Sequence, residues 1–150
     1  MSSITDITVF DGADTPVSHT LKAVSVTRNN GVVEALWREN VSNVPVYAQI
    51  RASMRVEQLK SGVFRTEVQV VVPVMESISG QNSAGYTAAP RVAYENKQTF
   101  IGFYSNRSDR AGRKLAKQIL VNILNNVTTS TAAATSGPAP ELINDLVSPT

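Results

Sequence analysis

The 150-residue chain contains no cysteine. That removes disulfides, thiol nucleophiles and thiolate metal sites, and it leaves the redox compartment open. Histidine is almost as scarce. His19 stands alone beside turn-like sequence, so a multi-histidine zinc site is excluded, and His19 is expected to be a surface side chain. No apolar run approaches the roughly 20 residues of a spanning helix, so no membrane partner is expected. The opening residues MSSITDITVFDG lack a basic stretch followed by an apolar core, so no signal peptide is expected. A working phosphate loop is missing too. Gly80 and Gly85 have its spacing, but Tyr86-Thr87 stands where Lys-Ser/Thr is required. Glu67, Glu76 and Glu95 lie on strands that a sheet could bring together, yet solvated carboxylates are the simpler reading. Glycosylation sequons at Asn40, Asn106 and Asn126 are read as chance. No catalytic residue, metal or cofactor is assigned, and the chain is not read as an enzyme.

What is present is β-pattern and unevenly spread charge. Hydrophobic residues make up 42% and charged residues 17%, as in one folded domain with an ordinary core. The net charge is only +2, but residues 51–120 carry eleven basic and five acidic side chains. The middle of the chain is therefore the candidate site for an acidic partner. Residues 49–57 alternate strictly. Ile50, Ala52, Met54 and Val56 have one parity, and Gln49, Arg51, Ser53, Arg55 and Glu57 the other. After Leu59-Lys60-Ser61-Gly62 the alternation resumes, with Thr66, Val68, Val70 and Val72 against Arg65, Glu67 and Gln69. A period of two with a short glycine-bearing connection predicts a hairpin.

Around it, strands are predicted at 4–10, 17–28 and 91–104. Segment 32–38 is a strand or a helical turn, and its neighbours favour strand. Asn30-Gly31 is the strongest short hairpin dipeptide. Residues 77–89 read as a loop longer than a hairpin needs. Beyond 105 the apolar residues recur in steps of three and four, which predicts an amphipathic helix over 106–127, capped by Ser105 or Ser108. Residues 128–140 read as a linker, and 141–147 as a last short helix. Strands followed by helices give an α+β domain with an antiparallel sheet. Two helices are few to cover so wide a sheet, so a second chain is expected to complete the cover.

Two basic surfaces follow. The helix carries Arg107, Arg110, Arg113, Lys114 and Lys117, either a solvated face or a phosphate-binding one. The sheet places Arg51, Ser53, Arg55, Arg65 and Gln69 side by side across the hairpin, and one parity of the next strand is Tyr94, Asn96, Gln98 and Phe100. Arginine grips phosphate, an aromatic ring stacks on unpaired bases, and amides read base edges. The alternatives are a single-stranded RNA surface and a solvated sheet.

Several short motifs then fall in one order. Ile7-Thr8-Val9-Phe10-Asp11-Gly12 resembles the first strand and turn of the coat proteins of single-stranded RNA bacteriophages. Asn30-Gly31-Val32-Val33-Glu34-Ala35-Leu36-Trp37 resembles their Asn-Gly-Val-x-Glu-Trp, Val68-Gln69-Val70-Val71-Val72-Pro73 their strand ending in Val-x-Val-Pro, Tyr94-Glu95-Asn96 their Tyr-x-Asn, and Gly137-Pro138-Ala139-Pro140 their Asn-Pro-x-Pro. The levivirus-like resemblance covers nearly the whole chain. It implies a single domain over 1–150, with N-terminal hairpin strands at 2–30, a main sheet at 31–104 and two helices at 105–148. It implies an N-terminal hairpin, a five-stranded antiparallel sheet, two C-terminal helices and an interlocked homodimer. The homodimers would form an icosahedral shell around single-stranded genomic RNA, assembled in the host bacterial cytoplasm and found in the virion. An RNA operator hairpin would be bound for translational repression. Carried over position by position, the RNA-binding set is Gln49, Arg51, Ser53, Arg55, Arg65, Glu67, Gln69, Tyr94 and Asn96. Glu67 departs from the family's threonine and would repel phosphate unless an arginine pairs with it. Gln69 removes one charge. A non-assembling single-stranded nucleic-acid-binding module and a strand-paired fibre subunit are the alternatives, and particle size separates all three.

Overall fold

The computed structural model describes residues 3–77, 80 and 83–150. Among them the chain forms six strands, a short 3-10 turn and two α-helices. The strands are β1 (Ile7–Phe10), β2 (Ser18–Asn29), β3 (Val32–Glu39), β4 (Arg51–Gln58), β5 (Phe64–Met75) and β6 (Val92–Tyr104). All pair antiparallel with their chain neighbours in one sheet of order β1-β2-β3-β4-β5-β6. The expected separation into an N-terminal hairpin and a five-stranded sheet is therefore corrected. β2 is long enough to pair with both β1 and β3, so the hairpin is continuous with the main sheet, bent by a bulge between Ala23 and Ser25. The β2–β3 turn has Asn30 at φ 49° and Gly31 at φ 79°. Both are left-handed, as a two-residue hairpin turn requires.

One face of the sheet carries the core. Leu21, Ala35, Trp37, Ala52, Met54, Val56 and Leu142 form a buried cluster. Trp37 is fully enclosed, and its indole Nε1 donates to the Thr5 carbonyl at 2.8 Å, which pins the N-terminal segment across the sheet. The short helix α2 (Pro138–Asp145) lies on β4 and β5. It starts earlier than the sequence suggested, because prolines in a first turn lose no intrahelical hydrogen bond. The longer helix α1 (Arg110–Leu124) packs on α2. Its cap is Asp109, whose Oδ1 accepts from the Gly112 amide at 2.8 Å. Neither expected serine caps it. Ser105 instead closes the preceding turn by accepting from the Arg107 amide.

The helix cations divide between solvent and the interior of the protomer. Arg110 is paired with Asp145. Arg113 donates to the Asn144 carbonyl and to Ser108, tying α1 to the end of α2. Lys117 is buried (8% exposed), and burial pushes its ammonium down from the usual lysine range. Arg113 and Lys117 thus serve the interior of the protomer, while Arg107 and Arg110 stay exposed and Lys114 half-buried.

Of the predicted loop, residues 78, 79, 81 and 82 lie outside the described residues, and so does part of the Gly80–Gly85 spacing. Its base is tied. The Glu76 amide donates to the Arg91 carbonyl at 2.9 Å, Arg91 Nε reaches Glu76 at 2.8 Å, and the Tyr47 hydroxyl donates to the Pro90 carbonyl.

Candidate nucleic-acid interface

Facing residues of paired antiparallel strands lie on the same side of a sheet, so the register assigns each side chain to a face. On the face away from the helices, cross-strand rows can be read across β3, β4, β5 and β6. Arg38, Arg51, Val71 and Lys97 form one row; Leu36, Ser53, Gln69 and Thr99 the next; Glu34, Arg55, Glu67 and Ile101 the third; Val32, Glu57, Arg65 and Phe103 the fourth. This is the surface outlined by the alternation, with additions. Arg38, Lys97, Thr99 and Phe103 were not singled out from sequence. Arg38 joins through the β3–β4 register, opposite Arg51, and Lys97, Thr99 and Phe103 join through the β5–β6 register, which sets Val71 opposite Lys97.

That register also separates two expected residues from the rest. Tyr94 pairs with Val74 and Asn96 with Val72. Both belong to the helix side, with Val68, Val70 and Phe100, while Arg51, Ser53 and Arg55 belong to the other. Tyr94 is exposed (59%), but on the wrong face to stack on a base held by those arginines. The Tyr-x-Asn motif is one residue out of phase with the polar rows, and Glu95 and Lys97 occupy them instead. Gln49 is a further correction. It lies before β4, is buried (5% exposed), and donates its side-chain amide to the Val41 and Val44 carbonyls at 3.3 and 3.0 Å. It closes the β3–β4 connection and does not face the sheet surface.

The remaining expected residues, Arg51, Ser53, Arg55, Arg65, Glu67 and Gln69, are brought together. A depression of about 190 Å³ opens at the second row, lined by Leu36, Arg51, Ser53, Gln69 and Val71, with Ala52 and Glu34.

The charges of this face are largely engaged with one another. Arg55 Nη2 lies 2.7 Å from Glu57 Oε2, Arg65 Nη1 2.8 Å from Glu57 Oε1, and Arg65 Nη2 2.7 Å from Glu67 Oε2. The hydrogen bonds from Arg65 and Arg55 hold the Glu57 carboxyl below the usual carboxylate range, against partial desolvation. Arg51 Nη2 reaches Glu95 at 2.7 Å. Glu67, Glu76 and Glu95 are thus not a carboxylate cluster, since each is held by a different arginine. His19, expected at the surface, is partly exposed and lies between two carboxylates. Its Nδ1 is 2.8 Å from Glu39 and its Nε2 3.5 Å from Asp11.

The opposite face is incomplete. A groove of about 520 Å³ runs beside the core, lined by Ile7, Val9, Phe10, Met54, Val70 and Val72 among others. On α1, Leu115, Ile119 and Ile123 recur every fourth residue, and all are exposed. β6, thirteen residues long, ends the sheet with its outer edge unpaired among the described residues.

A one-sheet subunit with one polar face, one unfinished apolar face and a long open edge belongs to the class of proteins that function as assemblies. The chain belongs to the levivirus coat protein family, whose model matches residues 2–147, so it is a capsid component. No curated protein matches the sequence. Among solved structures it is similar to the virus-like particle of bacteriophage EMS014, with TM-score 0.72, 25% identity and 99% of each chain covered. It has the same fold as the virus-like particles of bacteriophage ESE058 (TM-score 0.71, 20% identity, 97% and 98% covered) and of Beihai levi-like virus 21 (0.62, 19%, 97% and 96%).

Proposed function

We propose that two copies join along β6, that α1 of each lies over the apolar groove of the other, and that these dimers close into an icosahedral shell whose polar sheet faces meet single-stranded RNA. The observation that carries the reading is the mismatch within one protomer. Apolar surface on α1 and in the groove lies uncovered on one side, while arginines fill rows on the other. Burying the first orders the dimer, and the second is then left for an acidic partner. An RNA hairpin with unpaired bases suits the depression around Ser53 and Gln69, because A-form stems hide their base edges and loops present them. Binding of such an operator would repress translation by occupying the message. Assembly would take place in the host bacterial cytoplasm, where the RNA is made.

The test is size-exclusion chromatography of the protein expressed alone, with absorbance at 260 and 280 nm and electron microscopy of the main peak. Closed particles rich in 260 nm absorbance are expected. A small species without nucleic acid, or an open polymer, would refute the shell.

A further inference from the structure

We propose that RNA phosphates are confined to the cross-strand row Arg38–Arg51–Lys97, and that Glu57 and Glu67 withhold Arg55 and Arg65 from them. The inference rests on the RNA-facing reading above and assigns a path within that face. The rows differ in charge as they cross the sheet. The first carries three cations and no acid, the second no charge, the third one cation against two acids, and the fourth one of each. Positive potential is therefore concentrated at one end of the strands, with the uncharged row and its depression beside it. A strand of RNA laid along the first row would place phosphates on cations and bases over Leu36, Ser53, Gln69 and Thr99.

The far half resists phosphate for a geometric reason. Glu57 accepts from both Arg55 and Arg65, and Glu67 from the second fork of Arg65. To grip a phosphate, Arg65 must first leave a carboxylate at 2.7–2.8 Å on each terminal nitrogen, and Arg55 must either leave Glu57 or bring the phosphate up beside it. Either way a carboxylate stands beside the incoming anion. Ile101 and Phe103 flank this ladder on β6. In the first row, Arg38 and Lys97 form no ion pair among the described residues. Arg51 is shared with Glu95, but both members of that pair are well exposed, where such a pair is worth little and is readily exchanged.

The test is binding of a uridine homopolymer to the full-length protein, stripped of co-purifying RNA, across about 50 to 200 mM salt. Each phosphate contact on a single strand contributes about 0.7 to the slope of log affinity against log salt. Arg38→Gln and Lys97→Gln should each flatten the slope by about that amount. The charge-neutral double variant Arg55→Gln/Glu57→Gln, which leaves Arg65 held by Glu67, should leave it unchanged, and Glu57→Gln/Glu67→Gln should steepen it by freeing both arginines. Thermal melting of every variant separates these effects from unfolding. The inference is overturned if the neutral pair flattens the slope as much as Lys97→Gln, or if Lys97→Gln changes nothing. Absence of salt-dependent binding by the unaltered protein would overturn the RNA reading itself, before any variant is compared.

Discussion

Replacing Ile123 with aspartate should separate the protomers. Ile123 is 69% exposed on the last turn of α1, in line with Ile119 and Leu115. Full burial of such a side chain is worth about 1.5–3 kcal/mol, so its remaining exposed surface represents about 1–2 kcal/mol per copy. A two-fold interface counts each site twice, which makes about 2–4 kcal/mol. Aspartate placed against an apolar groove adds a desolvation penalty of a few kcal/mol. Together these reach about 5 kcal/mol, or three to four orders of magnitude in the dimer constant. Within the protomer the change should cost little, because the site already faces water. Sedimentation equilibrium should show monomers where the parent is associated, and circular dichroism should show unchanged secondary structure. A variant that keeps the parent's concentration dependence and still forms particles would refute the placement of α1 in the groove. Loss of folded structure in the isolated chain would equally refute the argument, because the protomer would then depend on that side chain internally.

Tyr94→Ala should leave RNA affinity unchanged within about twofold, since it lies on the helix side and forfeits none of the roughly 1–3 kcal/mol of a stacked base; a filter-binding titration decides this. Trp37→Phe should lower unfolding stability by about 1–3 kcal/mol, because the Thr5 carbonyl loses its donor and a cavity opens; urea denaturation measures it. The hydrogen bond to Glu39 raises the His19 pKa, against partial desolvation. His19 therefore contributes stability that is complete below its ordinary value of about 6.5 and is lost as pH rises through the raised folded value. The melting temperature should fall over that window, and His19→Gln should abolish the fall. Asp11 has the opposite sign. The Val17 and Ala13 amides lower its pKa, so its contribution is lost only as acid protonates it.

Strand pairing from β2 to β6 was legible because alternation has a period of two wherever one sheet face is buried. The Asn30-Gly31 turn was legible because few residues tolerate its left-handed backbone. The rows holding Arg51, Ser53 and Arg55 were legible for the same reason as the strands. Phase between distant strands was not. Tyr94 and Lys97 both sit in alternating sequence, and nothing local says which parity of β6 joins the arginines. Only the pairing of Val71 with Lys97 decides it, and a one-residue slip reverses every side chain. Gln49 was misassigned because it continues the alternation while its backbone belongs to a closing loop. The partners of Arg110 and Arg113 were not legible for a related reason. Periodicity marks a polar stripe but not the carboxylate or carbonyl that meets it, and α2 brings Asp145 and Asn144 there from some thirty residues away. Local pattern thus determined the elements and their polarity. Tertiary pairing decided which charges share a face and which neutralise one another, because those are relations between segments that the chain order alone does not bring into contact.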